Sequence, residues 1–176
     1  MTLTDFIAQG FGIIGLIITV LSFQCKGNTK FFIMQALGGF MYFLNFALIG
    51  ALAGALFNLT NMVRGALLSK DDKKVWKVVT ICSLYTVCYV VSVILAKGDT
   101  FQIFLATLPF ITLFIMSILM WKGNAKHIRY FQIIFMSPSW IVHNIFNFTL
   151  GGLICETMNM CSAIIFLIRN KLNQSK

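Results

Sequence analysis

The residues of this chain that could do chemistry are amides and one carboxylate, and they lie within long apolar stretches. Asn58 and Asn61 are one helical turn apart in one stretch, and Glu156 and Asn159 are one turn apart in another. Polar groups at membrane depth are costly, so they usually face other helices or a water-filled cavity. Each of them is a candidate for solute binding. Interhelical hydrogen bonding by asparagine is the alternative, purely structural explanation.

A second set of polar and aromatic residues is spaced so that its members share one face of a helix. In the first half of the chain this set is Gln35, Gly38, Tyr42 and Asn45, with the periodicity of a helix. In the second half it is Trp140, His143, Asn144 and Asn147. Trp140 could stack on a ring-shaped solute or fill the interior. His143 could relay protons or be a neutral, hydrogen-bonded core residue.

Glu156 and Arg64 are charged residues that we predict within membrane spans. A carboxylate without a partner in a membrane is protonated or finds a cation, so Glu156 could bind substrate or couple transport to protons. It could also be a partly hydrated residue near the outer mouth. Arg64 could extend to the nearer membrane surface, or it could pair with Glu156 or a substrate anion. The predicted substrate-binding residues are Tyr42, Asn45, Asn58, Asn61, Trp140, His143, Asn144, Asn147, Glu156 and Asn159.

No sequence pattern indicates an enzyme or a metal site. The chain has no HExxH motif, no Ser-His-Asp arrangement and no paired carboxylates within its apolar stretches. Its five cysteines include no C-x-x-C pair, and we expect them to be packing residues. We therefore expect no catalytic residues, no cofactor and no metal.

The composition indicates an integral membrane protein of helices. Hydrophobic residues make up 59% of the chain and charged residues 11%, whereas soluble domains have roughly 25% charged residues. The apolar stretches are about 20 residues long, which is the length needed to cross a bilayer. They are continuously apolar rather than alternating, which favours helices over barrel strands. The seven predicted spans are residues 6–24, 31–49, 52–69, 78–96, 101–121, 128–147 and 150–168.

Basic residues lie in every second connection between these spans. They follow the first, third, fifth and seventh spans, whereas the other connections are neutral overall. The positive-inside rule therefore predicts a cytoplasmic C-terminus and an N-terminus outside. This explains the net charge of +9 without a nucleic-acid partner. The expected partners are the lipid bilayer and a small-molecule solute, and a homo-oligomer is left open.

A repeated motif indicates an internal duplication. Lys-Gly-Asn-x-Lys occurs at residues 26–30 and, 96 positions later, at 122–126. NFALIG, which begins at Asn45, resembles NFTLGG, which begins 102 positions later at Asn147. We infer two parallel three-helix repeats with a six-residue insertion in the second, related by a pseudo-two-fold axis along the membrane normal. The predicted 3+1+3 division is residues 1–75, a linker helix at 76–98, and residues 99–176. At the second spacing, Gly54 is the counterpart of Glu156.

This plan, together with Gln24 at the end of the first span, resembles the PQ-loop/SWEET-like superfamily. Within it, QCKGNTKFFIMQ and LGGFMYFLNFALIGALAGALFNLTNMVRG are similar to the YgjV-type bacterial inner-membrane proteins. The resemblance implies a bacterial inner membrane location. It also implies a central pocket lined by asparagines at positions matching Asn58 or Asn61, and Asn159. The superfamily's proline before the glutamine is absent, since Phe23 precedes Gln24, so hinging at that proline is not implied.

Two functions fit these observations. The first is transport of a neutral or mildly polar solute, such as a sugar or metabolite, by alternating access between the two repeats. The amide and aromatic lining favours such a solute over a bare ion. The second is a non-transporting receptor, scaffold or complex subunit, which predicts no solute flux and a stable protein partner.

Overall fold

The computed structural model describes residues 3–22, 28–70, 72–123 and 125–174, which contain helices and no strand. The helices are α1 (Leu3–Ser22), α2 (Asn28–Leu48), α3 (Leu52–Leu68), α4 (Val75–Leu95), α5 (Thr100–Lys122), α6 (Ala125–Phe131), α7 (Ser137–Phe146) and α8 (Leu150–Gln174). A π-helical turn, Gln132–Met136, joins α6 to α7 without a break. These residues therefore form seven helical runs, and the predicted all-helical class is confirmed.

Four of the described helices are long and apolar enough to cross a membrane. They are α1, α4, α5 and the Leu150–Ile168 part of α8. The Phe32–Leu48 part of α2 is apolar but shorter, and α3 has 17 residues. Each predicted span coincides with one helical run. Gln24, Lys26 and most of the first Lys-Gly-Asn-x-Lys motif lie outside the described residues.

Six of the helical runs form a closed ring. α2 packs between α1 and α3, and the run from α6 to α7 packs between α5 and α8. Contacts of α3 with α5 and of α8 with α1 complete the ring. α4 packs on the outside, against α3 and α5. In this order α3 and α8 lie on opposite sides of the interior.

The two ends of the ring differ in charge. The basic end is the end where α3 and α5 finish, and it carries Lys70, Lys73, Lys122 and Lys126. There the Lys73 ammonium donates to the Lys122 carbonyl across 3.5 Å. The neutral end carries the turns at residues 49–51 and 147–149, which have no charged side chains.

These two turns have the same backbone geometry. Gly50 has a φ of 76° and Phe148 a φ of 52°, both in the left-handed region. The N–H of the following residue, Ala51 or Thr149, donates across 3.0 Å to the carbonyl five residues earlier. The turns are 98 positions apart along the chain, not the predicted 102.

The turn geometry therefore corrects the predicted alignment of the repeats. Asn45 lies inside α2, whereas Asn147 is the C-cap of α7, so the predicted pairing of these two residues is wrong. The error is four residues, about one helical turn, which keeps each residue on nearly the same helix face. In the corrected register the pairs are Gly54 with Gly152, Asn58 with Glu156, and Asn61 with Asn159, and Gly54 is not the counterpart of Glu156.

The π-helical turn accounts for a further difference between the halves. Gln35 and Gln132 are 97 positions apart, but Tyr42 and Trp140 are 98 apart. A π turn closes i→i+5 hydrogen bonds and so accommodates one more residue than an α turn. The Ser137 N–H accordingly donates to the Gln132 carbonyl. The second half therefore has one more residue than the first half at this turn. We predicted an insertion of six residues close to this point.

Candidate functional site

A cavity of about 200 Å³ lies at the centre of the ring, and every helical run except α4 contributes to its lining. Sites for drug-sized ligands are larger, roughly 300–1,000 Å³, so this volume suits a small metabolite. Seven of the ten predicted binding residues line the cavity. They are Tyr42, Asn58, Asn61, Trp140, Asn144, Glu156 and Asn159.

The other three predicted binding residues do not line this cavity. Asn45 is fully buried, and its amide donates to the Ala8 carbonyl across 2.7 Å, which ties α2 to α1. His143 is buried with its ring edge against Phe46. Asn147 donates to the His143 carbonyl across 2.8 Å and so caps its own helix. The Asn45 bond is the interhelical contact of the structural alternative, whereas His143 Nδ1 is buried without a hydrogen-bond partner among the described residues and Asn147 bonds within its own helix.

Glu156 lines the cavity and accepts hydrogen bonds from three neighbouring side chains. Ser137 Oγ donates to Oε2 at 2.9 Å, and Gln132 Nε2 lies 3.4 Å from the same oxygen. Asn159 Nδ2 lies 3.4 Å from Oε1. The π turn makes this possible because it brings two side chains five residues apart, Gln132 and Ser137, to one carboxylate. No ion pair to Glu156 occurs within the part of the chain that the structure describes.

On the opposite wall, α3 has amides, Asn58 and Asn61, at the positions equivalent to Glu156 and Asn159. Asn58 Nδ2 donates to the Gly54 carbonyl at 2.9 Å, and Asn61 Nδ2 lies 3.4 Å from Asn58 Oδ1. The Tyr85 hydroxyl donates to Asn61 Oδ1 at 2.6 Å, which links this wall to α4. The cavity therefore has a carboxylate on one side and an uncharged amide in the matching place on the other.

The cavity is closed towards the neutral end by close contact of α1 with α8. A Cβ added at Gly151 would come within 2.5 Å of the Gly12 carbonyl carbon, so the two backbones touch. Nearer the surface, Gln9 Nε2 donates to the Phe148 carbonyl at 2.8 Å, and Gln9 Oε1 accepts from the Leu150 N–H at 3.2 Å. Small residues allow this approach, as is usual where membrane helices pack.

Towards the basic end the lining includes two arginines, Arg64 on α3 and Arg129 on α6. Sequence reasoning gave Arg129 no site role because it follows Lys122 and Lys126 and was assigned to a basic connection. α5 ends at the left-handed Gly123, and α6 begins as early as Ala125. Arg129 therefore lies within a helix. Its spacing of three positions from Gln132, a second lining residue that was missed, was the available signal.

The family model of Imp-YgjV, described as bacterial inner membrane protein, matches residues 6–174. The chain belongs to this family. It is therefore an inner-membrane protein, as the resemblance of its sequence implied, and the match includes every residue that lines the cavity. Neither the curated proteins nor the solved structures gave a match.

The cavity of this Imp-YgjV protein is suited to holding a small polar molecule. It offers amide donors and acceptors, two guanidinium groups, one carboxylate, and the ring of Trp140. Among the residues that could be searched, no group of three His, Cys, Asp or Glu side chains lies close enough to hold a metal ion. The groups that line the cavity can bind a solute by hydrogen bonds and charge.

Proposed function

We propose that this inner-membrane protein transports a small polar solute by alternating access between two three-helix units. The units are α1 to α3 and α5 to α8, with α4 as the linker, which is the 3+1+3 plan expected from the sequence. The observation that carries the proposal is a polar central cavity between the units that extends towards one end and is closed at the other. A transporter in one of its two end states has this form.

The ring order supports a two-fold relation between the units. The last helix of each unit packs against the first helix of the other, α3 against α5 and α8 against α1. Buried positions on α1 and α5 also match at a spacing of 97, as in Gly15 with Thr112 and Thr19 with Met116. Parallel repeats about an axis along the membrane normal have these relations, as in SWEET-type transporters.

The charge distribution supports one orientation of the protein in the membrane. The basic end would face the cytoplasm, with the C-terminus on that side and the N-terminus outside. The cavity then extends towards the cytoplasm, and the contact of Gly12 with Gly151 closes the outer side. That contact joins the two units, so a rocking motion of one unit against the other would separate it and open an outward path.

Glu156 is the residue that would link solute movement to protons. It lines the cavity, and its hydrogen-bond partners among the described residues, Ser137, Gln132 and Asn159, all donate to it. A carboxylate that meets each side of the membrane in turn can take up a proton on one side and release it on the other.

Uptake into proteoliposomes tests the transport proposal. The variants are Glu156→Gln and Asn159→Ala, and the matched control is Thr157→Ala, since Thr157 lies on the same helix but is exposed. We expect uptake to fall at least about tenfold in the first two variants and to remain unchanged in the control. If a broad panel of solutes gives no flux above empty vesicles, the proposal fails. The receptor, scaffold or complex-subunit alternative would then be favoured.

A further inference from the structure

Two guanidinium groups line the basic part of the cavity without a carboxylate partner in the described segments. Within the described segments, the ion pairs join Asp72 to Lys74 and Lys77, and these three residues lie outside the cavity lining. Glu156 is the carboxylate of the lining, and its partners are uncharged donors. Arg64 and Arg129 therefore leave a local excess of positive charge in the lining.

Arg64 has a buried nitrogen that lacks an acceptor. Its Nη1 is inaccessible to solvent and has no hydrogen-bond partner among the described residues. A buried charged donor without an acceptor is strongly unfavourable. Because the Arg64 side chain lines the cavity, a small movement of the guanidinium would bring Nη1 to an acceptor on a molecule inside it.

Arg129 is held on the face of an aromatic ring. Its guanidinium carbon lies 4.9 Å from the centroid of the Phe166 ring. Such a cation–π contact holds the charge in place without neutralising it, and the fork of N–H donors can still bind a planar oxyanion. Phe166 thus fixes the position of Arg129 beside the cavity, and Arg129 keeps its positive charge for a ligand.

We infer that the transported solute carries an oxyanion group, a carboxylate or a phosphate, which binds Arg64 and Arg129. The inference rests on the proposed function and names the chemical class of its solute. Arginine suits this role because its fork of N–H donors matches both groups. A neutral solute would leave both guanidinium groups unpaired, so this inference favours an anionic metabolite, whereas the sequence alone favoured a neutral or mildly polar solute over a bare ion.

The position of Arg64 also orients the solute. Arg64 lies six residues nearer the basic end than Asn58, the counterpart of Glu156, which is about 9 Å along a helix. An anionic group at Arg64 is therefore kept away from the Glu156 carboxylate. The remainder of the solute would reach the amides of Asn58, Asn61 and Asn159, within a volume of about 200 Å³.

Ligand pairs that differ by an anionic group test this inference. The purified protein in detergent is titrated, at constant ionic strength, with glucuronate against glucose and with glycerol 3-phosphate against glycerol. A short-chain phosphatidylglycerol tests a lipid head group as the source of the oxyanion. Binding to the folded state raises the thermal unfolding midpoint. We expect a saturable rise with at least one of the two soluble anions, and none with glucose or glycerol.

Three variants locate the binding. Arg64→Gln and Arg129→Gln should each raise the half-saturating anion concentration at least about tenfold. Lys126→Gln is the matched control, because Lys126 carries the same charge at the same end but is exposed and outside the lining. Its half-saturation should not change. Arg64→Lys, which keeps the charge without the fork, covers the case in which Arg64→Gln does not fold.

Several results would overturn the inference: binding of a neutral ligand as tightly as its anionic partner, equal weakening by Lys126→Gln, binding of the lipid alone, or no binding of either soluble anion. The two proposals fail separately. Transport of a neutral solute at the wild-type rate by Arg64→Gln would overturn the anionic class and leave transport standing. Anion binding at Arg64 without flux in proteoliposomes would overturn the transport proposal and leave the anion site standing.

Discussion

Asn58 and Glu156 occupy equivalent positions on opposite walls of the central cavity. Each lies eight residues after the left-handed residue of its own turn, Gly50 for Asn58 and Phe148 for Glu156. The same position relative to the turn thus carries an amide in the first half of the chain and a carboxylate in the second half. Of the two residues, only Glu156 carries an ionisable side chain.

The first prediction concerns this carboxylate. In Glu156→Gln, uptake should no longer respond to a pH gradient across the vesicle, because the side chain cannot exchange a proton. In Asn58→Ala, uptake should fall through loss of a polar contact, by about three- to tenfold, and should still respond to the gradient. The measurement is initial uptake rate with and without an imposed gradient. A gradient response that survives in Glu156→Gln would exclude this residue as the proton carrier.

The second prediction concerns the contact that closes the cavity. Gly151→Ala places a methyl group within 2.5 Å of the Gly12 backbone. The helices must move apart, and overpacking of this kind costs about 1–3 kcal/mol. Gly10→Ala is the control, since a Cβ there meets nothing within 4 Å. The unfolding midpoint in detergent should fall for Gly151→Ala and not for Gly10→Ala. Equal midpoints would mean that α1 and α8 do not touch there.

The third prediction uses the matched turns. Phe148 has a positive φ and its side chain is 82% exposed, so Phe148→Gly should relieve backbone strain with little loss of packing within the protein. We expect stabilisation by about 1 kcal/mol. Gly50→Ala, at the matching position, should destabilise by a similar amount. Unfolding free energies in mixed micelles measure both changes, and changes of the same sign would contradict the shared geometry.

The helical runs could be predicted from the sequence because their signals are strong. Apolar stretches of bilayer length alternate with charged or glycine-containing connections. The predicted start of the seventh span at residue 150 is the start of α8. Seven of ten predicted binding residues line the cavity because polar residues within an apolar helix have few other places to point.

The register and the basic part of the site could not be predicted in the same way. A shift of four residues keeps a helix face nearly unchanged, so the NFALIG likeness could not distinguish Asn147 from His143, the residue 98 positions after Asn45. The π turn gives no clear signal beyond Pro138, which cannot donate a backbone hydrogen bond. Arg129 has no predicted site role because it stands at the edge of the predicted span 128–147, next to the basic connection of Lys122 and Lys126, whereas in the structure it is already in the second turn of α6.

The fourth prediction is the orientation of the chain in the membrane. We expect all seven helical runs to cross the membrane, which would place the two ends on opposite sides, and the basic connections favour a cytoplasmic C-terminus. A single cysteine at residue 2 of a cysteine-free variant should react with a membrane-impermeant maleimide added outside intact spheroplasts. A cysteine at residue 175 should react only after lysis. Labelling of both or neither from outside would contradict an odd number of crossings.

The fifth prediction concerns the connection between α3 and α4, which lies outside the helices. The Asp72 carboxylate pairs with Lys77 and lies 3.4 Å from Lys74. The Lys77 side chain is only 3% exposed and also donates to the Lys70 carbonyl at 3.2 Å. The hydrogen bond from Lys77 is the main cause that holds the pKa of Asp72 below its ordinary value.

A carboxylate with a lowered pKa in the folded state adds stability above its unfolded pKa of about 4, and this stability is lost as pH falls through the folded value. Asp72→Asn should therefore lower the unfolding midpoint at pH 7, and the difference from wild type should shrink below about pH 4. Lys74→Gln should have a smaller effect at pH 7, because Lys74 is largely exposed and the pair is screened by solvent. Midpoints of the three proteins between pH 7 and pH 3 measure this. A difference for Asp72→Asn that widens towards low pH would show that Lys77 does not stabilise the charged carboxylate.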